Sequence, residues 1–208
     1  MWPPTRLYNQ IFILACEPQP WQLYSTGAAE LRYVMRAAAL LELQNAGRLT
    51  DESGLAVIAD PTPVDEEYLD DLLRQITGRR PHKWRSWIAH AQDDLTRAVE
   101  QLEGAGWIRV ERSRRLRVIP DVRITVADPA WRLHLVRTIE TALTSPAPVN
   151  PHDAALAAIA GAAAIPKLMS WRRRWTHRER LRELIRQVGP IPRAMRSVLG
   201  AHRTRFIS

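Results

Sequence analysis

The stretch LTRAVEQLEGAGWIRVERSRRLRV, residues Leu95 to Val118, changes its periodicity halfway along. Leu95, Ala98, Val99 and Leu102 recur every three or four residues, the spacing of one helix face, so Asp93 to Glu103 is expected to be an amphipathic helix. Gly104 and Gly106 end it. Alternation takes over beyond them. Ile108 and Val110 face one way, then Leu116 and Val118, then Val122, Ile124 and Val126, which predicts three short antiparallel strands. Arg112, Arg114, Arg115, Arg117 and Arg123 decorate this β-meander near 107–126.

A helix, a glycine stop and a basic β-meander outline a winged helix, whose wing can touch DNA phosphate. The helix ahead of the wing would enter the major groove. Here it carries Asp93, Asp94, Glu100 and Glu103 against Arg97 alone, a net charge of about −3 that repels a duplex. The shape is expected; nucleic-acid binding is not.

Upstream, Arg6 to Glu17 reads as a first helix, broken by Pro18 and Pro20. A second runs from Thr26 to about Asn45, with Leu31, Val34, Met35, Ala38 and Leu41 at helical spacing. Two short strands, Arg48–Thr50 and Leu55–Ile58, flank the turn Asp51-Glu52-Ser53-Gly54 and form a hairpin near 48–58. An acidic helix follows from Asp65 to Ile76, then a basic loop at Gly78–Pro81. A helix from near His82 places Trp84, Trp87 and Ile88 on one face.

Downstream, helices are expected at Pro129–Leu143, Asp153–Ala164, Arg178–Val188 and Arg193–His202. The Ala-rich second segment is nearly apolar all round and so belongs in the core. Arg172-Arg173-Arg174, between Trp171 and Trp175, reads either as an interfacial basic-aromatic patch or as a solvated turn. The fold class is mainly α: one compact helical domain over 1–208 with two small antiparallel β elements.

The 208 residues suffice for a sizeable core, and composition is that of a globular protein. Cys16 is the one cysteine, which excludes an internal disulfide and suggests a reducing, cytoplasmic setting. No signal pattern opens the chain, and the longest uncharged apolar run, Ala154 to Pro166, is too short to span a bilayer. Any membrane role is expected to be peripheral, on the inner face. Net charge is +8 but uneven: residues 1–78 carry 5 Arg and 11 Asp or Glu, and 79–208 the other 25 basic residues against 11 acids. A basic second half calls for an anionic partner.

Catalytic signatures are absent. No phosphate-binding glycine loop, zinc-protease helix, paired CxxC or nucleophile elbow occurs, and the six histidines lack metal-ligand spacing. Cys16, on an apolar helix, reads as a buried structural thiol. Neither an enzymatic role nor a cofactor is expected.

Four features, taken in order, carry a resemblance. AALLELQNAGRL at Ala38–Leu49 pairs a small-apolar run and Glu42 with Gly47-Arg48-Leu49. DPTPVDEEYLDDLLRQI follows at Asp60–Ile76, then the Leu95–Val118 stretch, then HDAALAAIAGAA at His152–Ala163. With Asn9–Ala15 ahead of them, these resemble the Golgi phosphoprotein 3 family in its bacterial form, over about residues 5–165. The resemblance implies a largely helical domain with a projecting β-hairpin, and a peripheral membrane protein that binds phosphoinositide head groups. It also implies where a head-group pocket would lie. The family's helix arginine falls on Arg36, its tryptophan on Gly27 with Trp21 nearby, and its later arginine pair on Gln92 and Leu95, with Arg97 two positions on.

Arg32 and Arg36 share a helix face at i, i+4 and form two arms of an anion site, or else pair with the acidic helix. The family hairpin, which contacts membranes and other copies, corresponds to Arg115–Val126. Val118-Ile119-Pro120 would be its tip, with Arg115, Arg117 and Arg123 as basic shoulders; otherwise its apolar residues pack inward. The expected partners are an anionic lipid or membrane surface and a second copy of the chain. The alternative is a protein–protein adaptor on the same fold.

Overall fold

Residues Pro151–Ala163 form the innermost helix of the fold. The structure, a computed structural model, describes residues 4–16, 21–22, 26–91, 94–115 and 119–205. In chain order the elements are α1 (Leu7–Ala15), β1 (Trp21–Gln22), α2 (Thr26–Asn45), β2 (Leu49–Glu52), β3 (Leu55–Ile58), α3 (Glu67–Thr77), β4 (His82–Lys83) and α4 (Trp84–Ala89). They continue with α5 (Asp94–Gly104), β5 (Ile108–Arg115), β6 (Ile119–Val126), α6 (Pro129–Thr144), α7 (Pro151–Ala163), α8 (Trp171–Thr176), α9 (Arg178–Val188) and α10 (Ile191–Arg205). The protein is mainly helical, with two three-stranded antiparallel sheets.

Asn150 caps α7 by accepting from the Asp153 amide, and Pro151 opens its first turn. Every residue from Ala154 to Ala163 is buried. Alanine costs no side-chain entropy and lets neighbouring helices approach closely. Gly161 takes this furthest: a Cβ there would lie 2.5 Å from Cδ1 of Leu181 on α9. Gly161→Val is expected to destabilise the fold by about 1–3 kcal/mol through overpacking. Leu181→Ala in the same chain should recover part of that loss. Urea unfolding of the single and double variants checks it; a Gly161→Val protein as stable as wild type would show that α9 does not dock this closely.

Around α7 pack α1, α2, α6, α9 and α10. All of α1 except Gln10 is buried, so α1 is a core helix rather than a surface one. Arg132 of α6 donates from Nε to the Leu14 carbonyl at 3.3 Å. Arg203 of α10 donates to both carboxylate oxygens of Glu30 on α2, at 2.9 and 2.7 Å, and to the Ala163 carbonyl at 3.2 Å. These contacts tie the basic C-terminal helices to the rest of the core.

The first hairpin pairs Leu49 with Ile58 and Glu52 with Leu55 around Ser53-Gly54, both of which have positive φ. That geometry favours glycine and suits a two-residue hairpin turn. β4 then adds to β3. Because His82 and Lys83 pair with Ala56 and Leu55, the helix expected from near His82 begins only at Trp84. The Trp84 indole donates to Asp51 and joins α4 to the hairpin.

The second sheet corrects the expected three-strand meander. β5 and β6 pair without a break from Ile108↔Val126 to Arg115↔Ile119, two eight-residue strands in place of three short ones. Leu116, Arg117 and Val118 lie outside the described residues. The third strand is β1, where Trp21 and Gln22 pair with Ile124 and Arg123. Periodicity cannot announce a partner a hundred residues upstream. The expected helix boundaries otherwise hold within a few residues, except that Trp171–Thr176 is a short helix capped by Ser170 rather than a turn.

Candidate functional site

Arg36, on α2, is 6% exposed, and Asp94, at the start of α5, is 3% exposed. Arg36 Nε lies 3.1 Å from Asp94 Oδ1, and its Nη2 donates to the His90 carbonyl at 3.0 Å. Tyr68 of α3 donates its hydroxyl to the same carboxylate. Burial pushes the Asp94 carboxyl up, against the opposing pull of the Arg36 charge and the Tyr68 hydroxyl. Burial also raises the Tyr68 hydroxyl well above its usual range, and the Asp94 charge adds to the effect. Three helices thus meet at one buried polar knot.

The knot forms the floor of a cleft of about 250 Å³. Its walls are Arg36, Tyr68, Gln75, Arg79, Trp87, His90, Asp94 and Arg97. Arg79 comes from the basic loop after α3, Trp87 from α4 and His90 from its C-cap. The Trp87 indole N–H is buried and has no hydrogen-bond partner among the described residues. The exposed Arg79 guanidinium makes no ion pair with a described residue. Arg97 pairs with Asp71 of α3. Beyond Arg97 and Tyr68 lies a second cleft, about 390 Å³, also lined by Glu67, Asp71, Glu100 and Gln101. A shared wall therefore separates a basic cleft from an acidic one.

Of the residues singled out from sequence, Arg36 and Arg97 come together in the basic cleft. Arg32 does not line it: its Nη2 donates to the Tyr33 hydroxyl at 2.8 Å. The acid that meets Arg36 is Asp94, whereas the acidic helix takes Arg97. Trp21 sits in β1 opposite Ile124, and the indole of the cleft is that of Trp87. Arg123 lies opposite Glu111 in the ladder, Pro120 opposite Arg114, and Ile119 opposite Arg115. Arg117, Val118 and Gln92 lie outside the described residues. Cys16 is fully buried at the end of α1, and burial pushes its thiol up to about 12, the state of an inert structural cysteine.

Sequence reasoning noted the basic loop and the Trp84–Trp87–Ile88 face without linking either to Arg36. His90 and the role of Asp94 carry no local signal, because an acid at a helix N-terminus usually only complements the dipole.

Among the described residues no group of three His, Cys, Asp or Glu could hold a metal ion, and no helix is long and apolar enough to cross a membrane. Fold and cleft define a mainly helical protein with a winged-helix-like hairpin and an arginine-lined hollow among α2, α3, α4 and α5. The chain belongs to the Golgi phosphoprotein 3 (GPP34) family, whose family model matches residues 7–201. The match runs past Pro166, where the resemblance legible in the motifs stops, through α8 and α9 and into α10. None of the curated proteins compared with the chain matches it.

Proposed function

We propose that this protein is a non-enzymatic, peripheral binder of anionic head groups that uses the basic cleft, in a cytoplasmic setting. The observation that carries the reading is that Arg36, Arg79 and Arg97, from two helices and a loop, line one hollow together with Trp87 and His90. A phosphorylated polyol needs several guanidiniums converging on one spot and a donor or flat face to orient its ring. Arg79 supplies the first at the rim together with Arg97, whose guanidinium Asp71 already holds on one side, and the Trp87 N–H the second. Arg36 is already engaged by Asp94, so it organises the floor and adds charge rather than gripping phosphate alone. Family membership and the basic second half support the same class of ligand. The β5–β6 hairpin is the family's second contact, with a membrane or another copy.

The test is titration with soluble inositol phosphates and with vesicles containing phosphatidylinositol 4-phosphate. Arg79 and Arg97 are both exposed, so Arg79→Ala/Arg97→Ala should fold normally. A charge-assisted hydrogen bond contributes about 1.5–3 kcal/mol, so affinity should fall by roughly a hundredfold or more. Unchanged affinity in this variant, or equal and salt-insensitive binding to zwitterionic vesicles, would remove the cleft from the function.

A further inference from the structure

Three large apolar side chains are exposed among the described residues, and two of them stand one turn apart on α8: Trp171, 74% exposed, and Trp175, 65% exposed. At 3.6 residues per turn they share one face of that helix. Arg173, on the opposite side, anchors α8 to α6 through Glu140, with Nη2 3.3 Å from Oε1. The tryptophans are therefore not waiting to fold inward: α8 is already docked by its other face. The Arg178 guanidinium lies over the Trp175 ring, 5.1 Å from its centre.

Alongside runs a groove of about 390 Å³ between α9 and α10. Arg182, Arg186, Arg193 and Arg196 line it over Ile185, with Glu179 the one acid. None of these four arginines has an ion-pair or hydrogen-bond partner in its side chain among the described residues. Arg174, between the two tryptophans in sequence, is half-buried, has an Nε without a partner among the described residues, and feels the like charges of Arg196 and Arg203. α8 packs on α9, whose Arg182 and Arg186 line the groove, so the tryptophan face and the groove are neighbours. Residues 166–208 carry 12 basic residues and 2 acids, so most of this charge has no acid within the segment to meet it.

We infer that α8, α9 and α10 together form a docking face for an anionic phospholipid bilayer, with Trp171 and Trp175 lodged at the interface and the arginine groove holding lipid phosphates. Tryptophan settles at the head-group level of membranes because its ring is apolar and its N–H polar. Unpaired guanidiniums beside it match the negative surface of such a bilayer. A soluble phosphate would satisfy the groove but leave both indoles in water. This face is separate from the basic cleft and does not depend on it.

The experiment uses the full chain and vesicles of phosphatidylglycerol and phosphatidylcholine, free of any inositol lipid. Each basic residue near such a surface contributes about 1 kcal/mol, so Arg182→Gln/Arg186→Gln/Arg193→Gln/Arg196→Gln should lower partitioning by roughly a hundredfold or more. Trp171→Ser/Trp175→Ser should lower it by about tenfold or more, since the apolar contact with the interface is lost. The blue shift of tryptophan emission on adding vesicles should also disappear in that variant. All four arginines and both tryptophans are exposed, so far-ultraviolet circular dichroism and the melting temperature should match wild type. Wild-type partitioning by the arginine variant overturns the proposal. So does a tryptophan variant that keeps both its partitioning and its blue shift, and so does tight RNA binding by a wild-type chain that ignores the vesicles. Failure of the cleft reading looks different: it appears in the soluble inositol phosphate titration, which neither variant here should alter.

Discussion

Asp94→Ala is expected to lower the stability of the protein by about 3–5 kcal/mol, the cost of leaving a buried charge without its partner. The Arg36 guanidinium would keep only the His90 carbonyl, and the Tyr68 hydroxyl would lose its acceptor. A domain whose whole stability is about 5–15 kcal/mol feels such a loss as a large drop in melting temperature. Buried ion pairs are seldom net stabilisers compared with apolar residues of similar size. Arg36→Met/Tyr68→Phe/Asp94→Leu should therefore recover most of what the single change loses, while emptying the floor of the cleft of its polar groups. Chemical denaturation of the three proteins decides the matter. An Asp94→Ala protein within about 1 kcal/mol of wild type, or a triple variant no better than the single one, would show that the knot is not the buried charge pair it resembles.

The second large effect is a pH dependence centred on Glu42. Its side chain is 13% exposed, and the nearest guanidinium, that of Arg6, lies 4.0 Å away. Oε2 has no hydrogen-bond partner among the described residues. Burial pushes the carboxyl up to about 7, and the nearby Glu66 charge adds to that, against the pull of the first α1 amides and Arg6. A carboxyl whose folded pKa lies above its unfolded value of 4.5 holds its proton more tightly in the folded state. Stability from this group is therefore greatest below pH 4.5, falls as pH rises towards about 7, and levels off above it. The swing amounts to roughly 3 kcal/mol.

Glu42→Gln cannot titrate, so the variant should gain on wild type by about that amount between pH 4.5 and pH 7.5. Urea unfolding of both proteins across this range isolates the term, since every other titrating group is common to both. Parallel stability curves would show that Glu42 is better solvated than its surroundings indicate.

Glu42 also shows how a sequence motif and a structural role can part company. It stands out as the acid of the family-like helix run, yet its physical character comes from where α1 crosses α2. Tyr8 of α1 donates to Gln101 of α5 at 2.7 Å, and Gln101 donates to Glu66 at 2.6 Å. Glu66 in turn caps α3 by accepting from the Leu69 amide at 2.8 Å. Tyr8, Gln101 and Glu66 stand 35 or more residues apart along the chain, so no local pattern links them.

What the sequence determined by itself was whatever short-range physics governs. Periods of 3.6 and 2 placed α2, α3, α5, α6, α7, α9 and the first hairpin, because side-chain direction repeats with the backbone. The all-round apolar run at 154–163 announced the buried helix, since such a surface has no stable place in water. The order of four motifs placed the chain in its family, and charge counting found the basic half. Which charges meet depends on how the helices cross. The tertiary structure gave Arg36 to Asp94 and Arg97 to Asp71, left Arg32 on Tyr33, and brought Arg79 and Trp87 to one hollow. It also recruited Trp21 and Gln22 as the third strand of a sheet. Each of these depends on how helices far apart in sequence cross and on which groups lose their water there, and neither is written in the spacing of residues along one element.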